Sequence, residues 1–241
     1  MKKRTLIVPV LLGGICAAVA ALPLGWVAPH VLPENMRQDA QFSGTIWQGQ
    51  ANVPFGKSRA PVSFKAAPLK LITGKSFLDF TVKNSGFYLT GLAGLSQAQD
   101  VKINANIAQL PLLDPRIRGL QGKIVAEISE AKLGSGFTGA CKTITGQVRT
   151  DFLKANEATW FWQGPELSGP IRCEDGTIVA QMAGQEGRQS FTAMLRLMPD
   201  GVYTAQMDVT TAEPRAAVVL GFYGFESKGG KFVLSETGRW R

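Results

Sequence analysis

Beyond residue 40 apolar and polar side chains alternate with period two almost everywhere, the spacing that sends successive side chains to opposite faces of a β-strand. Val101, Ile103, Ala105 and Ile107 alternate with Lys102, Asn104 and Asn106. Phe191, Ala193, Leu195 and Leu197 form a second such face, and Tyr203, Ala205, Met207 and Val209 a third. Between the last two, Pro199-Asp200-Gly201 supplies the chemistry of a hairpin turn; Glu174-Asp175-Gly176 and Lys228-Gly229-Gly230 read as further turns. One polar and one apolar face per strand predicts an all-β fold, a mainly antiparallel sheet with one side against a core. Residues 66–73 and 214–220 resist the strand reading and predict short accessory helices, the second opening with proline near its first position.

The motif apolar-x-Gly-x-apolar recurs around Gly44, Gly122, Gly146 and Gly169, each time where a strand is expected to begin. Glycine there permits bulges and bends, so the sheet is expected to be curved; chance recurrence in a chain with 27 glycines is the alternative. The 241 residues fit one all-β domain, and 45% hydrophobic with 18% charged residues excludes disorder, coiled coil and collagen.

The N-terminus sets the compartment. After Lys2, Lys3 and Arg4 no ionisable side chain occurs from Thr5 to Pro29. As a helix, residues 5–28 reach ~36 Å at ~1.5 Å per residue, enough to cross a bilayer core. The positive-inside rule keeps the three basic residues cytoplasmic and sends the bulk of the chain to the other side. Residues 1–29 are thus expected to form a cytoplasmic start and transmembrane anchor, and residues 30–241 an exported β-rich domain. Cleavage after Ala20, following Ala18-Val19-Ala20, is the rival reading, and it leaves the exported side unchanged. Cys16 follows Ile15, too large for a lipoprotein site, and reads as a membrane-embedded thiol. Export makes Cys141 and Cys173 the available disulfide pair, with two buried free thiols as the alternative.

Chemistry is sparse. His30 is the single histidine and precedes the β region, so neither a Ser-His-Asp nor a Cys-His arrangement has its base there, and a histidine metal site has no ligands. No catalytic residue, metal or cofactor is expected. Residues 134–139 match G-x-G-x-x-G, but a strand rather than a helix follows. Ser129 and Lys132 match S-x-x-K, yet lie in an alternating stretch rather than on one helix face. The aromatics Trp47, Phe55, Trp160, Phe161, Trp162, Phe222, Tyr223 and Phe225 are read as core or interface packing. Net charge is +8, of which Lys2, Lys3 and Arg4 carry three, leaving +5 with no basic clustering among the aromatics; nucleic acid is not an expected partner.

Several segments together resemble the type II secretion system protein N family. They are the charged start and membrane segment, then Gly44-Thr45-Ile46-Trp47-Gln48-Gly49-Gln50-Ala51, the Cys141 and Cys173 pair flanking residues 164–170, Gly201-Val202-Tyr203 and Gly238-Arg239-Trp240. The resemblance covers nearly the whole chain, although Gly-Thr-x-Trp-x-Gly is also similar to AsmA-like envelope proteins. It implies an uncleaved, single-pass inner-membrane protein with a periplasmic C-terminal domain. That protein would be a non-enzymatic accessory of the machinery that exports folded proteins across the outer membrane. Its implied partners are other components of that machinery, with self-association left open. Gly44, Thr45, Trp47 and Gly49 are the matching signature positions, read as structural. The alternative function is lipid handling through an apolar groove of a curved sheet.

Overall fold

The computed structural model describes residues 21–31, 40–55, 58–72, 76–109, 120–134 and 140–239. One antiparallel sheet of 14 strands dominates the described residues. Its strands are β1 (Gln41–Gly44), β2 (Gln48–Phe55), β3 (Ser58–Ala66), β4 (Leu78–Asn84), β5 (Phe87–Ala93), β6 (Gln97–Asn106) and β7 (Lys123–Leu133), followed by β8 (Cys141–Thr150), β9 (Leu167–Glu174), β10 (Thr177–Glu186), β11 (Gln189–Leu197), β12 (Val202–Thr210), β13 (Glu226–Lys228) and β14 (Lys231–Arg239). Spatial order follows chain order except at the end, where β14 inserts between β12 and β13. Each terminal strand of that order, β1 and β13, has one partner, so the sheet is open.

The alternation becomes one continuous apolar face. Val62, Val82, Leu89, Ile103, Ala126 and Val148 are register partners in a row from β3 to β8. Ile171, Ala180, Leu195 and Ala205 continue the face from β9 to β12. Residues opposite one another in antiparallel strands share a face, which is why period two in the sequence becomes a surface here. The turns are where glycine can supply positive φ: Asp175 and Gly176 (φ +49° and +80°) join β9 to β10, and Gly201 (φ +87°) joins β11 to β12.

Among the described residues five short helices accompany the sheet: α1 (Leu24–Val31), α2 (Pro68–Ile72), α3 (Phe152–Ala155), α4 (Glu157–Trp160) and α5 (Pro214–Phe222). The last has proline at its first turn, where the missing N–H costs no intrahelical bond. Helices α3 to α5 cover the C-terminal end of the apolar face. There Leu153, Trp160, Trp162, Leu167, Phe191, Val209, Ala216 and Leu220 form the larger buried cluster. A second cluster, Ala126, Ala131, Cys141, Ile144, Val148 and Ile171, lies on β7 to β9. Fully burying a side chain such as Phe191 stabilises the fold by roughly 1.5–3 kcal/mol.

Four expectations are corrected or fall outside the description. Residues 21–29 are the described part of the apolar N-terminal segment; residues 1–20, with Cys16 and the Ala20 cleavage position, lie outside the described residues. Among the described residues no helix is long and apolar enough to cross a membrane. The recurring glycines do not all open strands. Gly44 ends β1 and Gly146 lies inside β8, opposite Ile128 at the start of a bulge in β7; Gly122 and Gly169 stand at or near strand starts. Ile107 leaves the strand for a 3-10 turn, Ile107–Gln109, but stays buried. Helices α3 and α4 are additional to the expected helices. Each is a single turn of four residues, too short to leave a period in the sequence.

Candidate functional site: two unlike sheet edges and an aromatic pocket

The first hairpin is built by the Gly-Thr-x-Trp-x-Gly segment. Gly44 (φ +89°) pairs with Gly49, and the Thr45 amide donates to the Gln48 carbonyl at 2.9 Å. The Thr45 hydroxyl accepts from the Trp47 and Gln48 amides at 3.4 and 3.3 Å. A Cβ on Gly49 would lie 2.9 Å from the Phe64 ring and 3.0 Å from the Leu24 side chain, so glycine lets α1 and β3 meet over β2. The chain entering α1 clasps this hairpin: Pro23 forms a bridge with Thr45, and the Ile46 amide donates to the Leu22 carbonyl at 3.1 Å. Trp47 is half-buried, and its carbonyl accepts from the Ala66 amide at 2.6 Å. None of Gly44, Thr45, Trp47 and Gly49 brings an acid, base or thiol, so their chemistry is that of a joint.

Cys141 and Cys173 are joined as a disulfide with Cα atoms 5.9 Å apart. The bond ties the start of β8 to the β9–β10 hairpin just beyond Thr145 and Arg172, where strand pairing runs out. The Cys141 amide also donates to the Gly176 carbonyl at 3.1 Å.

The motif matches do not assemble chemistry. Ser129 donates its hydroxyl to the Thr145 carbonyl at 3.0 Å, while Lys132 pairs with Glu130 at 2.9 Å, both on strand β7. Residues 135–139 of the glycine motif lie outside the described residues, and strand β8 follows them. Among the described residues no three His, Cys, Asp or Glu side chains gather as a metal site.

The aromatic residues divide. Trp160 stacks on Trp162 with centroids 6.0 Å apart and meets Phe152 and Tyr223 edge-on at 5.5 and 5.7 Å. The Trp162 indole N–H donates to Gln189 Oε1 at 2.7 Å, and the Trp160 indole N–H reaches the Tyr223 hydroxyl at 3.4 Å. By contrast, Phe161 is 75% and Phe222 69% exposed, contrary to a packing role within the chain.

The buried aromatics wall one side of a pocket of about 340 Å³, completed by α5, Met207 and β14 from Leu234 to Glu236. Glu236 stands in register with Ala205 on the otherwise apolar face and accepts a hydrogen bond from the Tyr203 hydroxyl at 3.3 Å. Burial raises the Tyr203 pKa, and the Glu236 charge and this hydrogen bond push it the same way. Beside the pocket the sheet ends abruptly: β13 pairs with β14 only at Lys231, Phe232 and Val233.

Sequence reading missed the pocket and the edge. The available signal was Glu236, which breaks the run Phe232, Leu234 on one face of a strand.

No curated protein and no solved structure matches this chain. The sequence model described as type II secretion system (T2SS), protein N matches residues 38–235, from just before the Gly44 hairpin to Ser235 in the middle of β14. The chain therefore belongs to the type II secretion system protein N family.

Proposed function

We propose that this protein is a non-enzymatic accessory component of type II secretion, anchored in the inner membrane by residues 1–29, with residues 30–241 as a periplasmic domain that holds other components of the machinery. Family membership supports the secretion role, and the charge pattern of residues 2–29 supports the anchor and its orientation. The observation that carries the binding role is the open 14-stranded sheet, whose edge and half-covered apolar face are surfaces for protein contact rather than for bond-making chemistry. Gly44, Thr45, Trp47 and Gly49 act structurally in this reading, holding the membrane-proximal segment to the first hairpin.

A deletion strain tests it through two quantities measured together, release of folded exoproteins into the medium and outer-membrane resistance to detergent. Exoproteins held in the periplasm behind an intact barrier are the expected result. Normal secretion in that strain would remove the proposal.

One observation favours a second reading, lipid handling. The row from Val62 to Leu89 and Ile103 is only half-buried. An alternating face of that kind suits acyl chains if the sheet bends around them. Mass spectrometry of an organic extract of the purified full chain would detect co-purifying phospholipid, and its absence would end this reading.

A further inference from the structure

The two edges of the sheet end differently. Strand β1 is four residues long and is clasped by the chain entering α1 through the Pro23–Thr45 bridge. Strand β14 is nine residues long, yet from Ser235 to Arg239 no described strand pairs with its outer side. The Gly229–Gly230 turn, with φ +58° and +80°, is the two-residue hairpin in which the flanking residues, Lys228 and Lys231, exchange both backbone bonds. Hydrogen-bonding direction alternates along a strand, so Ser235, Thr237 and Arg239 aim their N–H and C=O groups outward. An unpaired row of this kind is a template for another chain.

The side chains along this edge select what can add. Glu236 and Gly238 lie on the apolar face, in register with Ala205 and Tyr203. Among the described residues no ion pair includes Glu236, whose carboxylate accepts from the Tyr203 hydroxyl. Gly238 leaves room for the Tyr203 ring, which a Cβ would meet at 2.6 Å. The pocket of about 340 Å³ opens beside Glu236.

We infer that the open edge of β14 takes an extended segment of a partner protein as an added strand, with a basic residue opposite Glu236 and an apolar residue two positions away, opposite Gly238 and against the Tyr203 ring. Residues opposite one another share a face, so the basic side chain lays its aliphatic stem over the apolar pocket mouth and brings its charge to the carboxylate. A second copy of this chain fits less well. Antiparallel pairing of β14 with itself sets Leu234, Glu236 and Gly238 only against one another, and no cation meets either carboxylate. The inference rests on the secretion reading for where the partner is found, but the edge is testable without it.

The test uses the full chain in mild detergent and a blocked, fluorescein-labelled heptapeptide that alternates threonine with valine and carries lysine at its centre. Anisotropy should show the lysine peptide binding about tenfold more tightly than its glutamate counterpart, from attraction in one and repulsion in the other. Glu236→Lys should invert that preference. Thr237→Pro removes an outward N–H that no described strand uses, a change edge strands accept, so the fold should persist while binding is lost. Absence of saturable binding, or equal binding by Thr237→Pro, overturns the inference; if that variant does not fold, an unchanged preference in Glu236→Lys overturns it. In cells, full restoration of secretion by both variants in the deletion strain counts against the edge while leaving the secretion role standing. Normal secretion in the deletion strain itself counts against the role, and peptide binding then judges the edge alone.

Discussion

The side chain of Asn156 pairs with the backbone of Gln121 as a neighbouring strand would: its Nδ2 donates to the Gln121 carbonyl at 2.7 Å and its Oδ1 accepts from the Gln121 amide at 2.9 Å. The same Nδ2 also donates to the Phe152 carbonyl at 2.7 Å, and Asn156 is fully buried. Residue 121 lies outside the sheet ladder, and one amide side chain satisfies both of its backbone groups.

Replacing Asn156 therefore leaves three partly buried backbone atoms, the amide and carbonyl of Gln121 and the carbonyl of Phe152, without this partner. Asn156→Leu should cost about 2–4 kcal/mol, because three hydrogen bonds of about 0.5–1.5 kcal/mol each are lost together. Urea denaturation followed by circular dichroism checks this. A loss under about 0.5 kcal/mol, within the scatter of ordinary surface substitutions, would mean that water replaces the amide.

The disulfide spans a sequence separation of 32 residues. Removing it with Cys141→Ser and Cys173→Ser together should destabilise by about 3–4 kcal/mol in the chain-entropy account. The same shift in urea midpoint should follow reduction of the unaltered protein, and free-thiol titration should report the change in oxidation state.

Two glycines should respond differently to alanine. A Cβ at Gly169 would run into the Gln181 carbonyl on the neighbouring strand, so Gly169→Ala must move backbone and should cost about 2–3 kcal/mol. At Gly187 the added Cβ meets nothing, and only its positive φ of 57° is penalised, by about 1–2 kcal/mol. Thermal midpoints of the two variants should rank accordingly.

Alkaline stability should depend on Tyr203. Its pKa in the folded protein is raised from 10.0 by burial and by Glu236, so the unfolded chain ionises first as pH rises. The folded state then binds more protons, and stability falls from pH 10 up to the raised value. Tyr203→Phe should flatten that part of the urea-midpoint profile.

The sheet was legible because burial is one-sided. Val101 and Ile103 face the core while Lys102 and Asn104 do not, and glycine at 176, 201, 229 and 230 supplies φ values that other residues rarely adopt. The disulfide was legible from compartment chemistry and count. Helices α3 and α4 were not, since two four-residue turns carry no period. What makes them is tertiary: Trp160 and Trp162 burying against Phe191, and Asn156 bonding to Gln121. Nor could pattern alone identify the free edge. Strand β14 alternates like its neighbours, and its exposure follows from β13 being three residues long.

Because spatial order tracks chain order from β1 to β12, nearly every ladder closes between neighbours in sequence. Such a sheet resembles a one-dimensional array in its energetics, each strand stabilised by the one before and the one after. Loop closure is short at most steps, which favours rapid, sequential assembly. A chain emerging N-terminus first could therefore zip up strand by strand, without waiting for its last residues, and the growing end would always be an open edge. Among the described residues that open edge is the outer side of β14 from Ser235 onward, which has room for one more strand.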